Sequence, residues 1–171
     1  LITIVVIPFL AFTFDQPPTL LQQDILNDLM LVYLVAALMC FLVSTLTNNY
    51  SQVDKLWSLI PLVYVWMVAL RSGFEPRMVL MALLVTAWGL RLTYNFSRRG
   101  GYSIRFWTGE EDYRWAVLRS KPEFAARWRW VVFNLLFISL YQMGLILLIT
   151  LPAVRGMGGS PLGWIDYLVA A

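Results

Sequence analysis

Two short segments contain most of the side chains that could do chemistry in this chain. The first, residues 48–57, reads NNYSQVDKLW, and the second, residues 91–115, reads RLTYNFSRRGGYSIRFWTGEEDYRW. Both are rich in charged groups, tyrosine and tryptophan, whereas most of the remaining sequence is apolar. Charged side chains are costly to hold near lipid, so a dense cluster of them indicates a site of chemistry or of partner contact.

The first segment has two interpretations. Asp54, Trp57 and Pro61 are spaced i, i+3, i+7, so on a helix they share one face and could present a carboxylate and an indole to a pocket. The pattern from Ser51 to Asp54, followed by an apolar run, also fits a helix N-terminal capping box. The spacing alone leaves both open.

The second segment begins with a polar stripe. Arg91, Asn95 and Arg98 are spaced i, i+4, i+7 and therefore share a helical face. Arg91 lies inside an apolar run, where a charged side chain costs on the order of 3 kcal/mol to insert. Its guanidinium either snorkels towards the membrane boundary or pairs inside the bundle with Asp54.

Two arginines and two glycines follow that stripe. Gly100 and Gly101 would let a backbone approach a ligand closely, and Arg98 and Arg99 can bind phosphate. The alternative is a helix C-terminus followed by arginines that orient the protein in the membrane.

Residues 109–115 combine carboxylates, a phenol and a guanidinium. Such a mixture suits proton transfer or hydrogen bonding to a nucleotide, although the acids also neutralise the basic residues around them. Glu110 and Arg114 can pair at i, i+4 if residues 110–120 form a helix. The spacing of the carboxylates matches no metal-binding motif, so no metal site is predicted.

The composition predicts an all-α, polytopic transmembrane helix bundle. Of the 171 residues, 60% are hydrophobic and only 13% are charged, which is too apolar for a soluble domain. The apolar stretches are continuous rather than alternating, which selects helices. Because the chain begins and ends inside apolar runs, we expect a single membrane domain that is the N-terminal and central part of a longer protein. Five to six spans are predicted, near residues 1–14, 28–46, 56–70, 78–96, 131–151 and 162–171.

The basic residues predict the orientation. With alternating spans, nine lysines and arginines fall on the side of the loop 97–130 and three on the other side, so this loop, with its short interfacial helices, should face the cytoplasm. The net charge of +3 is too small to suggest nucleic-acid binding. There is no histidine, which excludes a histidine base or a haem ligand from this stretch. Cys40 is the single cysteine, so it cannot form an intrachain disulfide.

Three motifs together carry a family resemblance. NNYSQVDKLWSLIP, WGLRLTYNFSRRGGY and GEEDYRW, in this order, resemble the DUF1295 membrane proteins over residues 48–151. That family is similar to the steroid 5-alpha-reductase-like superfamily, which includes isoprenylcysteine methyltransferases. The resemblance implies an integral-membrane enzyme that takes NADPH from the cytoplasm and reduces a C=C bond of a steroid- or lipid-like substrate. An S-adenosylmethionine-dependent methyltransferase and a non-catalytic membrane subunit are the alternatives.

The site residues are assigned within these two polar segments, although the resemblance does not give their individual roles. We predict Tyr113 or Glu111 as a catalytic acid. Cofactor binding is assigned to Arg98, Arg99, Gly100, Gly101, Tyr102, Asp112 and Arg114, and the substrate pocket to Asp54, Trp57, Arg91 and Asn95. The Arg-His-Pro-Asn-Tyr-like segment in which the family binds its cofactor most strongly is missing, so we expect an incomplete NADPH site. Both the endoplasmic reticulum and the plasma membrane remain open as locations.

Overall fold

The computed structural model describes residues 17–105 and 107–170, together with Val6, Phe9, Leu10, Thr13 and Phe14. The first predicted span, 1–14, lies mostly outside the described residues. Within the described part of the chain the regular structure is helical, which confirms the all-α prediction.

Seven helices are described, and we number them in chain order. They are α1 (Leu20–Thr47), α2 (Gln52–Leu56), α3 (Ile60–Arg71), α4 (Pro76–Arg98), α5 (Tyr113–Arg119), α6 (Arg127–Arg155) and α7 (Trp164–Ala170). The middle of α6, Asn134–Tyr141, is a π-helix, and a 3₁₀ turn, Pro122–Phe124, precedes α6. Three helices of the described chain, α1, α4 and α6, are long and apolar enough to cross a membrane, whereas α3 has only 12 residues. This is consistent with an integral membrane protein.

Helix α1 begins earlier than the predicted span 28–46. Thr19 Oγ1 accepts a hydrogen bond from Gln22 N (3.2 Å), and Gln22 Oε1 accepts one from Thr19 N (2.9 Å). This reciprocal cap satisfies amides that the first helical turn leaves without partners. The polar residues Gln22, Gln23, Asp24 and Asn27 therefore belong to the helix. Asp28 forms an ion pair with Arg71 (2.9 Å).

The predicted span 56–70 is divided between two helices. Helix α2 ends at Leu56, a turn follows, and α3 begins at Ile60 with Pro61 in its first turn, where a missing N–H costs nothing. Asp54, Trp57 and Pro61 consequently do not share a face of one continuous helix, and that interpretation was wrong. The turn instead separates Asp54 and Trp57 from the rest of the span.

The helices pack around α6. Helices α1 and α3 both contact α6, and α4 packs against α3. The core between them contains Ile25, Leu29, Tyr64, Met143 and Ile146, all fully or almost fully buried. The contact of α4 with the turn before α3 is close, since a Cβ on Gly89 would lie 2.7 Å from Ser58 O. Glycine thus permits the approach that places the end of α4 beside α2.

The bundle has two polar ends. At the loop end, residues 99–126, which we call the loop, lie against α2 and the C-terminus of α1. At the opposite end, Gln22 Nε2 of α1 donates to Val154 O of α6 (3.1 Å), and Arg77 of α4 pairs with Asp166 of α7 (3.2 Å). The two segments that the sequence analysis singled out are therefore both at the loop end.

Candidate functional site

Hydrogen bonds join the two polar segments at the loop end. Asn49 Nδ2 donates to Gly109 O (3.1 Å), and Tyr50 N donates to Glu111 Oε1 (2.7 Å). Asp112 N donates to Ser51 Oγ (2.9 Å). We call these contacts, which join residues 49–55 to residues 108–115, the α2–loop network. The network holds the loop on α2 although the two segments lie about sixty residues apart.

Ser51 does not form the predicted capping box. It is the N-cap residue of α2, but its side chain accepts no hydrogen bond from the first turn of that helix. Its Oγ, which is fully buried, accepts from the amide of Asp112 instead. The buried loop amide needs an acceptor, and Ser51 supplies it.

Lys55 is the most deeply buried charged residue of the network. Its side chain donates to Thr108 O (2.6 Å) and to Gln52 Oε1 (3.2 Å), and the residue is 5% exposed. Burial lowers the pKa of Lys55, and the neighbouring Asp54 opposes this effect. Tyr102 donates from its hydroxyl to Lys55 O (2.7 Å). In the sequence, Lys55 is only one of the nine basic residues that predict the orientation, because neither its burial nor its partners follow from the local pattern.

Asp112 and Arg114 form a local pair at the start of α5. Asp112 Oδ1 caps the helix by accepting from Arg114 N (2.9 Å), and Arg114 Nη2 donates to Asp112 Oδ2 (2.7 Å). These hydrogen bonds hold the pKa of Asp112 below its usual value of 3.8 and raise the pKa of Arg114. The predicted helix 110–120 is shorter, Tyr113–Arg119, so Glu110 lies outside it and the predicted Glu110–Arg114 helical pair was wrong.

Asp54 binds residues of the loop rather than Arg91. Its Oδ2 accepts a hydrogen bond from Trp115 Nε1 (3.2 Å), and its Oδ1 lies 4.0 Å from Arg114 Nη2. Arg91 is exposed on α4 and forms no ion pair with any residue that the structure describes. The Arg91–Asp54 pair, one of the two alternatives for Arg91, is therefore absent from the described residues, and the snorkelling alternative stays a prediction.

The two glycines after Arg99 have a structural reason to be glycine. Gly100 has φ +79°, a left-handed conformation that costs glycine little, and its carbonyl accepts from Glu110 N (3.1 Å). A Cβ on Gly101 would collide with the ring of Phe96, which also packs edge-on against Tyr102 at 5.2 Å between ring centres. The close approach made possible by these glycines is thus to the protein's own loop and rings.

A cleft opens between α2, the turn after it and the end of α4. It has a volume of about 320 Å³, and we call it the Asp54 cleft; it is lined by Asp54, Trp57, Ser58, Leu92, Asn95, Phe96 and Arg99. The structure brings together here three of the four predicted pocket residues, Asp54, Trp57 and Asn95. Arg99, predicted as a cofactor ligand, joins them, whereas Arg91 does not line the cleft.

The predicted catalytic acids lie outside this cleft. Glu111 accepts a hydrogen bond from the amide of Tyr50, and the Tyr113 side chain is 77% exposed on α5. Arg98, predicted beside Arg99, stacks over the ring of Tyr94 with its Cζ 5.6 Å from the ring centre. The catalytic roles of Glu111 and Tyr113 stay predictions.

A second cavity on α2 was not foreseen. It is an apolar groove of about 330 Å³ with a polar end, lined by Met39, Cys40, Val43, Gln52, Lys55, Leu56, Leu59 and Tyr102. Asp54 and Lys55 are consecutive, yet they line different cavities. No local sequence signal marks this groove, since Cys40 and its neighbours are ordinary members of an apolar run.

Comparison with known proteins decides the family. DUF1295, described as a protein of unknown function, matches residues 40–171. The chain belongs to the DUF1295 family. The match is wider than the resemblance at residues 48–151 and contains the α2–loop network, the Asp54 cleft and Cys40. This DUF1295 chain is also similar to the uncharacterized protein C594.04c of Schizosaccharomyces pombe.

That relative is 34% identical over 119 residues, which cover 67% of this chain and 33% of the relative. The matched part is thus about a third of the relative's length. No solved structure matches the chain.

Proposed function

We propose that this DUF1295 chain forms part of a membrane-bound reductase that uses NADPH to reduce a C=C bond of a steroid- or lipid-like substrate. The Asp54 cleft is the observation that carries the proposal. It combines a carboxylate, an amide, an indole and a guanidinium with the apolar side chains of Leu92 and Phe96, at one end of a candidate membrane span. A pocket of mostly apolar lining with a few convergent polar groups is the usual form of a small-molecule site.

The residues of the cleft fit part of a nicotinamide dinucleotide. Arg99 provides a guanidinium for phosphate oxygens, Asn95 can both donate and accept hydrogen bonds, and the half-exposed Trp57 offers a ring face for stacking. The volume of about 320 Å³ is at the low end of the roughly 300–1,000 Å³ of ligand pockets. The cleft therefore suits one ring-and-phosphate portion, in line with the expectation of an incomplete NADPH site.

The chain's own residues would bind and orient the reactants. When bound, NADPH supplies a hydride, which is the chemistry that the protein lacks. Arg99 and Asn95 would fix the nucleotide at the mouth, while Leu92 and Phe96 exclude water from its inner side. Glu111 and Tyr113 remain our predicted proton donors, which requires the substrate to reach the loop from the cleft.

The proposal places the loop end in the cytoplasm, where NADPH is available. Most of the lysines and arginines lie at the loop end of the bundle formed by α1, α3, α4 and α6. This is the positive-inside pattern. The membrane is the endoplasmic reticulum or the plasma membrane. Labelling a cysteine placed at the exposed Ser103 from each side of sealed vesicles tests the orientation, and labelling from the outer side would contradict it.

The activity test uses the protein at its full natural length in a neutral detergent. We expect it to oxidise NADPH when an α,β-unsaturated ketone lipid is added. Arg99→Gln should raise the KM for NADPH by at least about tenfold, because a lost charge-assisted hydrogen bond to phosphate is worth roughly 1.5–3 kcal/mol. Arg105→Gln, which removes an exposed arginine of the same loop outside the cleft, is the matched control and should leave the KM unchanged.

Tyr113→Phe tests the predicted acid role separately. The side chain of Tyr113 is exposed, so removing its hydroxyl should leave the fold intact. A lower kcat with an unchanged KM supports proton donation by Tyr113, and an unchanged kcat removes it from the mechanism. If NADPH is not consumed but a methyl group is transferred from labelled S-adenosylmethionine, the methyltransferase alternative is correct. If neither reaction occurs, the non-catalytic alternative stands.

A further inference from the structure

A third cavity lies on the other side of the loop end, away from the Asp54 cleft. It has a volume of about 230 Å³ and lies between the end of α1, the C-terminal part of the loop and the start of α6. We call it the Trp130 pocket. Its lining includes Asn48, Tyr50, Arg119, Arg127 and Trp130.

Two guanidinium groups line the Trp130 pocket without a carboxylate. Arg119 and Arg127 are both in the lining, and no acidic residue of the described chain is. Neither arginine forms an ion pair with a described residue. Arg119 is held instead over two rings, with its Cζ 5.4 Å from the ring centre of Tyr50 and 6.0 Å from that of Trp130. The local charge therefore favours an anion.

One of the residues that line the pocket has a buried hydrogen-bond donor without an acceptor among the described residues. Trp130 is 3% exposed, and its Nε1–H is buried without a hydrogen-bond partner among the described residues. A buried indole N–H normally finds an acceptor, since leaving it without one costs roughly 1–3 kcal/mol. The ring is fixed by edge-on contacts with Tyr50 (5.0 Å between ring centres) and Phe124 (5.1 Å). The donor thus occupies a defined position, and no described residue pairs with it.

The pocket lies beside the ends of two candidate membrane spans. Arg127 is the first residue of the candidate span α6, and Asn48 follows the last residue of the candidate span α1. An anion that binds here can belong to a lipid headgroup or come from solution. Phosphate is the group that suits the site, because it carries several strong acceptor oxygens for two guanidinium groups and one N–H.

We propose that Arg119, Arg127 and the indole N–H of Trp130 form a binding site for a phosphate group at the membrane boundary. The site is separate from the Asp54 cleft, and it stands whether or not the chain is a reductase. Trp128 and Arg129 on the same helix provide a matched pair outside it: Arg129 stacks over Trp128 at 5.5 Å, and Trp128 is 64% exposed.

The test measures binding to the full-length protein in a neutral detergent by equilibrium dialysis. The probes are labelled dihexanoyl phosphatidate, inorganic phosphate and, as a neutral lipid control, dihexanoylglycerol. We expect saturable binding of phosphatidate and a Kd that Trp130→Phe raises about tenfold, equivalent to about 1.4 kcal/mol. Phenylalanine keeps a ring in the aromatic cluster but removes the donor. Arg127→Gln, a change at an exposed position, should raise the Kd by a similar factor and guards against misfolding of the first variant.

The control variants and the comparison of the three probes show whether the site exists and where its phosphate comes from. Trp128→Phe and Arg129→Gln should change the Kd less than about twofold. If phosphatidate binds and inorganic phosphate does not, the phosphate belongs to a lipid headgroup. If inorganic phosphate also binds and Trp130→Phe raises its Kd by the same factor, the phosphate comes from solution. Both results support the site. The proposal is overturned if neither probe binds, if dihexanoylglycerol binds as tightly as phosphatidate, or if folded Trp130→Phe and Arg127→Gln bind like the controls.

Discussion

The two polar ends of the bundle use their charges differently. At the loop end, Lys55 and Ser51 are buried and bind backbone atoms of the loop. At the opposite end, Arg71 and Asp28 form an ion pair in which each side chain is 44% exposed. Buried hydrogen bonds to charged groups contribute roughly 1.5–3 kcal/mol, whereas exposed ion pairs contribute about 0–1 kcal/mol.

The difference shows why density of charge alone does not identify a functional residue. Most polar groups at the loop end, including the predicted site residues Glu111 and Asp112, bind other parts of the protein. The candidates for ligand contact are the groups that remain exposed in a cavity or buried without a partner, such as Arg99 and Trp130. The following predictions test this contrast by local amide hydrogen exchange on the full-length protein, from the largest expected effect to the smallest.

Gly109→Ala should have the largest effect. Gly109 has φ +121°, and a Cβ there would lie 2.7 Å from Gly101 O, so alanine is both strained and obstructed. We expect the free energy of loop opening to fall by about 3 kcal/mol. Gly158→Ala at the opposite end is the control, because Gly158 has φ +69° but open space around it. This change should lower the free energy of local opening around residue 158 by about 1 kcal/mol. Equal effects would show that the loop is not packed as described.

Lys55→Met should weaken the α2–loop network by about 2 kcal/mol. The change keeps an unbranched side chain but leaves the buried acceptor Thr108 O without this donor. Faster exchange should be confined to the loop. Arg77→Met at the opposite end removes the ion pair to Asp166. It should lower the free energy of local opening at that end by less than about 1 kcal/mol and leave hydrogen exchange in the loop unchanged. An unchanged exchange rate in the loop of Lys55→Met would contradict the anchoring role of Lys55.

Acid should loosen the start of α5 through Asp112. Its pKa in the folded protein is below the usual 3.8, so its stabilising contribution is fully present above pH 3.8 and is lost as the pH falls through the folded value. Because Arg114 is 59% exposed, we expect this contribution of Asp112 to the stability of α5 to be less than about 1 kcal/mol. Asp112→Asn keeps a capping oxygen and should remove this pH dependence. Asp166→Asn, which changes a carboxylate at the opposite end, should leave it intact; loss of the dependence in both variants would refute the assignment.

Asp28→Asn should have the smallest effect. It removes the exposed ion pair with Arg71 while keeping a side chain of the same size, and we expect a change below about 0.5 kcal/mol in the opening of α1. Raising the salt concentration should abolish even this difference. A loss comparable to that of Lys55→Met would mean that the two ends are stabilised in the same way.

Much of the architecture could be predicted, but the ends of the helices less well. Apolar stretches located α1, α4 and α6, because a helix is the structure in which a continuous apolar segment satisfies its backbone in lipid. The cap at Thr19 and Gln22 extended α1 beyond the predicted span, since capping residues are polar and resemble a loop. The break after Leu56 was missed because the apolar run continues through it.

The candidate site was predictable only in part. Asp54, Trp57 and Asn95 belong to two separate helical patterns and were assigned together only as residues of the substrate pocket. The structure does bring them to one cleft, although by way of a turn rather than a common face. Trp128 and Trp130 lie two residues apart, and nothing in the local sequence distinguishes them. In the structure Trp128 is 64% exposed and Trp130 is 3% exposed, because residues two apart on a helix point in different directions.

The sequence by itself determined the class of the protein. Its apolar stretches, the concentration of basic residues in one loop and the motifs of residues 48–151 are local properties, and they predicted helices, a polar loop end and the DUF1295 family. Only the tertiary structure decided that Ser51 binds Asp112, that Lys55 binds Thr108, and that the indole N–H of Trp130 is buried without a partner in the described part of the chain. Hydrogen-bond partners and burial depend on which distant segments meet in space, and spacing along one segment does not contain that information.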